Sequence, residues 1–131
     1  MLAEEILEAA LKDGNSSPYE LANLAAVKTF LGKEDESRRL IDAANYWSTR
    51  KDEIGIVKFN LFIISAYHSN YDQSLVYLNG SIDKHNEIKQ YVVASSILRS
   101  IFDKNDDFKK RVNLILEFDQ KNKQNNTSEM G

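Results

Sequence analysis

The sequence predicts an all-α protein, and three observations support this fold class. The chain of 131 residues contains one proline and five glycines, so few positions must interrupt a helix. Apolar residues recur at helical rather than alternating spacing along most of its length. Short polar turns begin at Gly32, Ser69 and Asp106, and the differences 69 − 32 and 106 − 69 both equal 37. A fixed period of this length is typical of stacked helical hairpins, each of which needs a neighbour to bury its apolar face.

Clear start and stop signals mark the first two predicted helices. A stripe of leucine, isoleucine and alanine predicts a helix over Leu2–Lys12. The next helix begins at Ser17 and Pro18, with Glu20 three residues after the serine. The serine oxygen can accept from an unpaired backbone N–H, and the glutamate can reach back to the cap. Gly32 suits the left-handed turn that ends this second helix.

Five further helices follow, and they complete a single predicted domain. We predict them over Glu34–Arg50, Asp52–His68, Tyr71–Ile82, Lys84–Phe102 and Asp106–Gln120. The segment 52–68 is apolar nearly all round, so we expect it to form the centre of the protein. Loops of two or three residues make consecutive helices antiparallel. We therefore expect one helical domain over residues 1–120, followed by a disordered polar tail over 121–131 that has no apolar anchor before Met130.

Composition and charge restrict the class of protein. The net charge is −3, from 17 basic and 20 acidic side chains that are mixed along the chain, which disfavours binding to nucleic acid. The absence of cysteine excludes disulfides and thiolate metal ligands, and it fits a reducing compartment. No apolar stretch approaches the roughly 20 residues needed to span a bilayer. Glu4 and Glu5 occupy positions where a signal peptide carries positive charge, so we expect a cytoplasmic protein.

The residues that commonly carry chemistry do not form a catalytic pattern. His68 and His85 each lie near a predicted helix end, where a solvated histidine is more common than a catalytic or metal-binding one. No spacing typical of zinc ligands is present. Paired carboxylates fall at predicted helix starts, where they complement the helix dipole: Asp35–Glu36, Asp52–Glu53 and Asp106–Asp107. We therefore expect a protein without enzymatic activity, cofactor or metal.

The segment Pro18–Lys51 resembles a tetratricopeptide repeat, whose pattern is W-x2-L-G-x2-Y, then A-x3-F, then P. The matching positions are Leu21 for the tryptophan, Leu24–Ala25 for the Leu-Gly pair, Ser37 for the alanine and Ile41 for the phenylalanine. The segment departs from the pattern at Lys28, where an aromatic residue is expected, and at Thr49, where the proline is expected. The resemblance implies a short right-handed solenoid or bundle of about seven antiparallel helices.

The resemblance also implies a binding surface. In tetratricopeptide repeats, the first helix of each hairpin lines a concave groove that holds an extended peptide or a partner helix. The corresponding residues here are Tyr19, Asn23, Phe30, Phe59, Asn60, Ile63 and Tyr67. Asn23 and Asn60 recur 37 residues apart (60 − 23), and an amide that both donates and accepts suits a peptide backbone. The alternative is that these asparagines satisfy polar groups between helices.

The sequence therefore favours a non-enzymatic protein–protein interaction module, an adaptor or assembly factor that binds a peptide or a partner helix. The alternative is a self-associating structural subunit, because the apolar segment Leu2–Leu11 could pair with a second copy to form a homodimer. An RNA-binding helical array is disfavoured by the negative charge, and an enzyme is least favoured. The expected partner is another protein or peptide, with no role for nucleic acid or a membrane.

Overall fold

The computed structural model describes residues 17–130 except Asn86, with side chains described as far as Phe118. Every regular element in this part of the chain is an α-helix, which confirms the predicted fold class. The helix predicted over Leu2–Lys12 lies outside the described residues. The described helices are α1 (Pro18–Phe30), α2 (Glu34–Trp47), α3 (Lys51–Tyr67), α4 (Tyr71–Lys84), α5 (Ile88–Ala94), α6 (Ser96–Lys104) and α7 (Asp106–Met130).

The start and end of α1 follow the signals in its sequence. The Ser17 hydroxyl accepts a hydrogen bond from the Glu20 N–H at 3.3 Å, and Pro18 occupies the first turn. Proline fits there because that position has no intrahelical partner for an N–H. Gly32 adopts a φ of +77° directly after the helix, as the left-handed turn requires.

Two buried serines join the helices in pairs. Ser37 Oγ in α2 donates to the Ala25 carbonyl oxygen in α1 at 2.7 Å. Ser74 Oγ in α4 donates to the Phe62 carbonyl oxygen in α3 at 2.8 Å. Donors and acceptors are both displaced by 37 residues (74 − 37 and 62 − 25). The turns predicted at Gly32 and Ser69 therefore each join two helices, α1 to α2 and α3 to α4. The two helix pairs share the same buried contact.

Helix α3 is central, as its composition predicts. It contacts α1, α2, α4, α5 and α6. Its buried residues contribute to two apolar clusters, one with α1 and α2 and the other with the later helices. Gly55 allows an especially close approach, because a Cβ at this position would lie 2.6 Å from His85 Cβ. The end of α4 therefore packs directly against the α3 backbone.

The long helix predicted over Lys84–Phe102 is wrong. The chain instead ends α4 at Lys84 and forms two shorter helices, α5 and α6, that meet at Ser95. Ser95 is extended, with φ −76° and ψ 111°, and its hydroxyl accepts from the Leu98 N–H at 3.2 Å. A serine side chain competes for backbone hydrogen bonds, so it favours a cap over the interior of a helix.

The predicted start of the last helix at Asp106 is confirmed, but its first residues and its buried face depart from the repeat pattern. Asp106 to Phe108 form the first turn of α7 rather than a loop, because the Asn105 side-chain oxygen accepts from the Phe108 N–H at 3.0 Å. Arg111 lies 37 residues after Ser74, yet it is exposed and contacts Asp72 at 2.9 Å. The buried face of α7 is formed instead by Phe108, Val112 and Leu116. The third helix pair, formed by α6 and α7, therefore packs differently from the first two.

The end of α7 lies beyond its predicted position. The backbone is helical through Met130, whereas the sequence predicted an end at Gln120. The sequence after Gln120 contains no glycine or proline before Gly131 to stop a helix. Disorder of 121–131 in solution stays a prediction.

Candidate functional site

A cleft of about 480 Å³ opens between helices α1, α3 and α6. Phe30 and Tyr67 form one wall, with ring centroids 5.1 Å apart and planes inclined at 66°, an edge-to-face contact. Tyr67 remains 46% exposed. We call this the aromatic cleft, and its lining residues are Phe30, Ala66, Tyr67, Ser69, Tyr71, Ser96, Ile97, Ser100, Ile101 and Lys104. Its lining combines apolar and aromatic side chains with serine and tyrosine hydroxyl groups and one lysine.

A strained residue lies at the rim of the aromatic cleft. Ser69 has a φ of +64°, a left-handed conformation that is unfavourable for a residue with a Cβ. The residue 37 positions earlier is Gly32, which has the same backbone conformation without that penalty. Hydrogen bonds from the side chains of Ser69 and Asn105 lower the pKa of Tyr71. The strained backbone therefore places a hydroxyl against a tyrosine that lines the cleft.

A second cleft, of about 380 Å³, lies near the start of α1. We call it the second cleft, and it is lined by Tyr19, Asn23, Ile56, Phe59, Tyr91, Ala94 and Ser95. The Phe59 and Tyr91 rings contact each other with centroids 5.9 Å apart. Ser95 lines the second cleft and its neighbour Ser96 lines the aromatic cleft. The junction between α5 and α6 therefore contributes to both clefts.

A chain of polar contacts borders the second cleft. The Tyr19 hydroxyl donates to Asp52 Oδ2 at 2.8 Å and lies 3.3 Å from His85 Nε2. Burial and the bond to Asp52 raise the pKa of Tyr19 to about 12, while the same bond lowers the pKa of Asp52. Arg50 also donates to both Asp52 oxygens, at 3.1 and 2.7 Å. Tyr19 therefore stays protonated, and the arrangement links the starts of α1 and α3 to the end of α4.

The structure distributes the predicted groove residues over two clefts and the core. Phe30 and Tyr67 line the aromatic cleft, whereas Tyr19, Asn23 and Phe59 line the second cleft. Phe59, Asn60 and Ile63 are buried, with exposures of 8%, 3% and 6%. Asn60 Nδ2 donates to Asn23 Oδ1 and to the Ile56 carbonyl oxygen, both at 3.1 Å. Burial leaves these three residues little surface for contact with a partner.

Several lining residues were not selected from the sequence. Ser69, Tyr71, Ile101 and Lys104 all border the aromatic cleft. The 37-residue spacing could have identified Lys104, because it follows Tyr67 by 37 (104 − 67) as Tyr67 follows Phe30 (67 − 30). The strain at Ser69 had no sequence signal apart from its correspondence to Gly32.

The two histidines lie at helix ends, as predicted, but in different surroundings. His68 follows α3, is 34% exposed and has its Nε2 3.5 Å from a Glu34 carboxylate oxygen. His85 follows α4 and is partly buried, and its Nδ1 accepts from the Glu87 N–H at 3.1 Å. His85 is therefore less exposed to solvent than His68. Among the described residues, no group of three or more acidic, histidine or cysteine side chains could hold a metal ion.

Comparison of the chain with protein-family models, curated proteins and solved structures found no match in any of the three. No helix in the described part of the chain has both the length and the apolar character needed to cross a membrane.

Proposed function

We propose that the protein is a non-enzymatic, cytoplasmic protein-interaction module of the tetratricopeptide type, in which α1, α3 and α6 present a concave groove to a partner. The equivalent serine contacts of the first two helix pairs support a structural repeat. Phe30, Tyr67 and Lys104 support its extension to α6, because they occur at the repeat spacing and line one cleft. The partner is an extended peptide or an amphipathic helix.

The aromatic cleft is the observation that carries this proposal. Its volume is within the range of roughly 300–1,000 Å³ that is typical of ligand sites, and its walls combine apolar side chains with a few polar groups. Tyr67 resembles the residues that dominate binding energy at interfaces, which are often tyrosines in concave surroundings. An apolar side chain of the partner would enter between Tyr67 and Ile101, and the rim hydroxyls would contact its backbone.

A binding experiment with a defined probe tests this function. A library of random 12-residue peptides displayed on phage is selected against the intact protein, and the enriched peptides are synthesised. Tyr67→Ser should weaken their affinity about tenfold or more, because a central aromatic side chain is removed. Tyr46→Ser is the matched control, since Tyr46 is 78% exposed and does not line the aromatic cleft. Equal affinities for the two variants, or no enriched peptide, would contradict the proposal.

Self-association is the second candidate, and a separate observation favours it. Leu114 and Phe118 lie one turn apart on α7 and are 64% and 68% exposed. Two large exposed apolar side chains next to each other on one helix face form an apolar patch that a second copy of the protein could cover. Light scattering on the wild type and on a Leu114→Ser, Phe118→Ser variant tests this function. A wild-type protein that stays monomeric at high concentration would exclude it.

A further inference from the structure

An apolar stripe on α1 is only partly covered by the described helices. Val27 and Leu31 are 45% and 49% exposed, and Leu24 is partly buried. Their spacing of three and four residues places all three on one face of the helix. Other residues of α1 are packed in the core, among them Leu21, Ala22 and Ala25, and Leu24 packs against the same cluster. Val27 and Leu31 therefore leave apolar surface available to a further packing element, beside the partly covered Leu24.

The second helix pair indicates what kind of element packs at such a stripe. Leu61 and Ile64 follow Leu24 and Val27 by 37 residues (61 − 24 and 64 − 27). Both pack against the apolar cluster that includes Ile41 of α2, the helix that precedes α3 in the chain. By the repeat proposed above, the stripe on α1 is the surface for a segment that precedes α1.

We propose that the first residues of this chain cover the stripe, through the apolar side chains of Leu2–Leu11. Sixteen residues precede Ser17, and five of the first eleven are large or small apolar residues at helical spacing: Leu2, Ile6, Leu7, Ala10 and Leu11. The six-residue step from Leu11 to Ser17 can span at most about 20 Å, and α1 is also roughly 20 Å long. This connection is therefore long enough to place the segment alongside α1. Attachment next to the stripe gives this segment an effective concentration in the millimolar range. That advantage favours it over a second copy of the protein.

The absence of cysteine allows a direct cross-linking test. Val27→Cys is combined with Leu7→Cys, and the pair is oxidised under dilute conditions. A disulfide forms only when the two Cα atoms come within about 7 Å, so rapid closure within one chain is expected. The matched control combines Leu7→Cys with Val76→Cys, because Val76 is 62% exposed on α4 and lies outside the stripe. We expect closure at least tenfold faster for the Val27 pair than for the Val76 pair.

Two outcomes would overturn the proposal. Equal closure rates for the two pairs would show that the segment does not visit the stripe preferentially. Disulfides between chains instead of within one chain would show that a second copy covers it.

A second measurement guards against misfolding of the cysteine variants. Val27→Asp should lower the melting temperature of the full chain by roughly 3–8 °C, and Val76→Asp should leave it nearly unchanged. Equal shifts for these two variants would also contradict the proposal. Because Val27 does not line the aromatic cleft, the peptide-binding experiment with Tyr67 can succeed or fail independently.

Discussion

Asn60 Nδ2 donates a hydrogen bond to Asn23 Oδ1 at 3.1 Å, joining two residues that lie 37 positions apart on neighbouring helices. Asn60 is 3% exposed and also donates to the Ile56 carbonyl oxygen, whereas Asn23 is exposed. The two asparagines that the sequence pattern assigned to a partner surface therefore satisfy each other. This contact ties α1 to α3 and favours the alternative reading of these residues, in which they bridge helices.

A double-mutant cycle tests this contact. Asn23→Ala leaves one hydrogen of the buried Asn60 amide without its partner, so its effect should depend on whether Asn60 is present. We expect Asn23→Ala and Asn60→Ala to be coupled by about 0.5–1.5 kcal/mol in the free energy of unfolding, measured with urea. The control cycle pairs Asn60→Ala with Asn45→Ala, a change at an exposed position of α2. The two changes in the free energy of unfolding should add within about 0.5 kcal/mol. Additive effects of both pairs would contradict a structural role for the bond.

The close contact between Gly55 and His85 gives a prediction with a diagnostic sign. Glycine to alanine inside a helix normally stabilises a protein by up to about 1 kcal/mol. At Gly55 the new Cβ would meet His85 Cβ at 2.6 Å and the His85 backbone nitrogen at 3.2 Å. We therefore expect Gly55→Ala to destabilise the fold by about 1–3 kcal/mol. Thermal unfolding followed by circular dichroism measures the change.

Gly80→Ala provides the matched control for Gly55. The three atoms nearest to its Cβ would all belong to the flexible side chain of Lys58, with Cδ at 2.9 Å. That side chain can move aside, so this variant should be neutral or slightly stabilising. Similar melting temperatures for the two variants would show that the end of α4 is not held against α3.

The strain at Ser69 predicts a gain in stability on substitution. Ser69→Gly removes the penalty of a left-handed conformation, which is about 1 kcal/mol for a residue with a Cβ, but it also removes the contact with Tyr71. We expect a net increase of about 0.5–1 kcal/mol in the free energy of unfolding. Gly32→Ala should have the opposite effect, because its Cβ would meet nothing within 4 Å and only the backbone penalty remains. Changes of the same sign in urea denaturation would be inconsistent with this explanation.

The raised pKa of Tyr19 predicts a loss of stability in alkali. The folded state holds this proton up to a pKa of about 12, whereas the unfolded chain releases it near the ordinary tyrosine pKa of 10.0. The contribution of protonated Tyr19 to the free energy of unfolding is thus fully present below pH 10 and is lost as the pH rises towards 12. Tyr19→Phe should make the urea midpoint fall less steeply between pH 9 and 11.5. Tyr46→Phe, at an exposed position, should keep the wild-type slope, and identical slopes for all three proteins would contradict the assignment.

Local signals predicted most of the helices because their causes lie within a few residues. Ser17 caps α1 through a contact three residues away, and Gly32 ends it through its own backbone freedom. The break at Ser95 was missed because Tyr91 to Phe102 has helical periodicity on both sides of it. A serine within such a pattern can either remain in the helix or cap a new one, and the packing of α5 and α6 against α3 decides between them.

The sequence by itself determined the helical class, the buried character of α3 and the 37-residue relationship between the first two helix pairs. Each follows from the spacing of apolar residues and of helix-breaking residues, which can be read along the chain without knowing which segments pack together. The tertiary structure decided which repeated residues are surface and which are interior. Lys28 illustrates the difference, because a lysine is normally exposed but here is 3% exposed with its Nζ 2.8 Å from Glu36. Asn60 is similarly interior, while Tyr67, seven residues later on the same helix, faces the aromatic cleft. Such assignments depend on which helix lies opposite each residue, and that is fixed only when distant segments pack together.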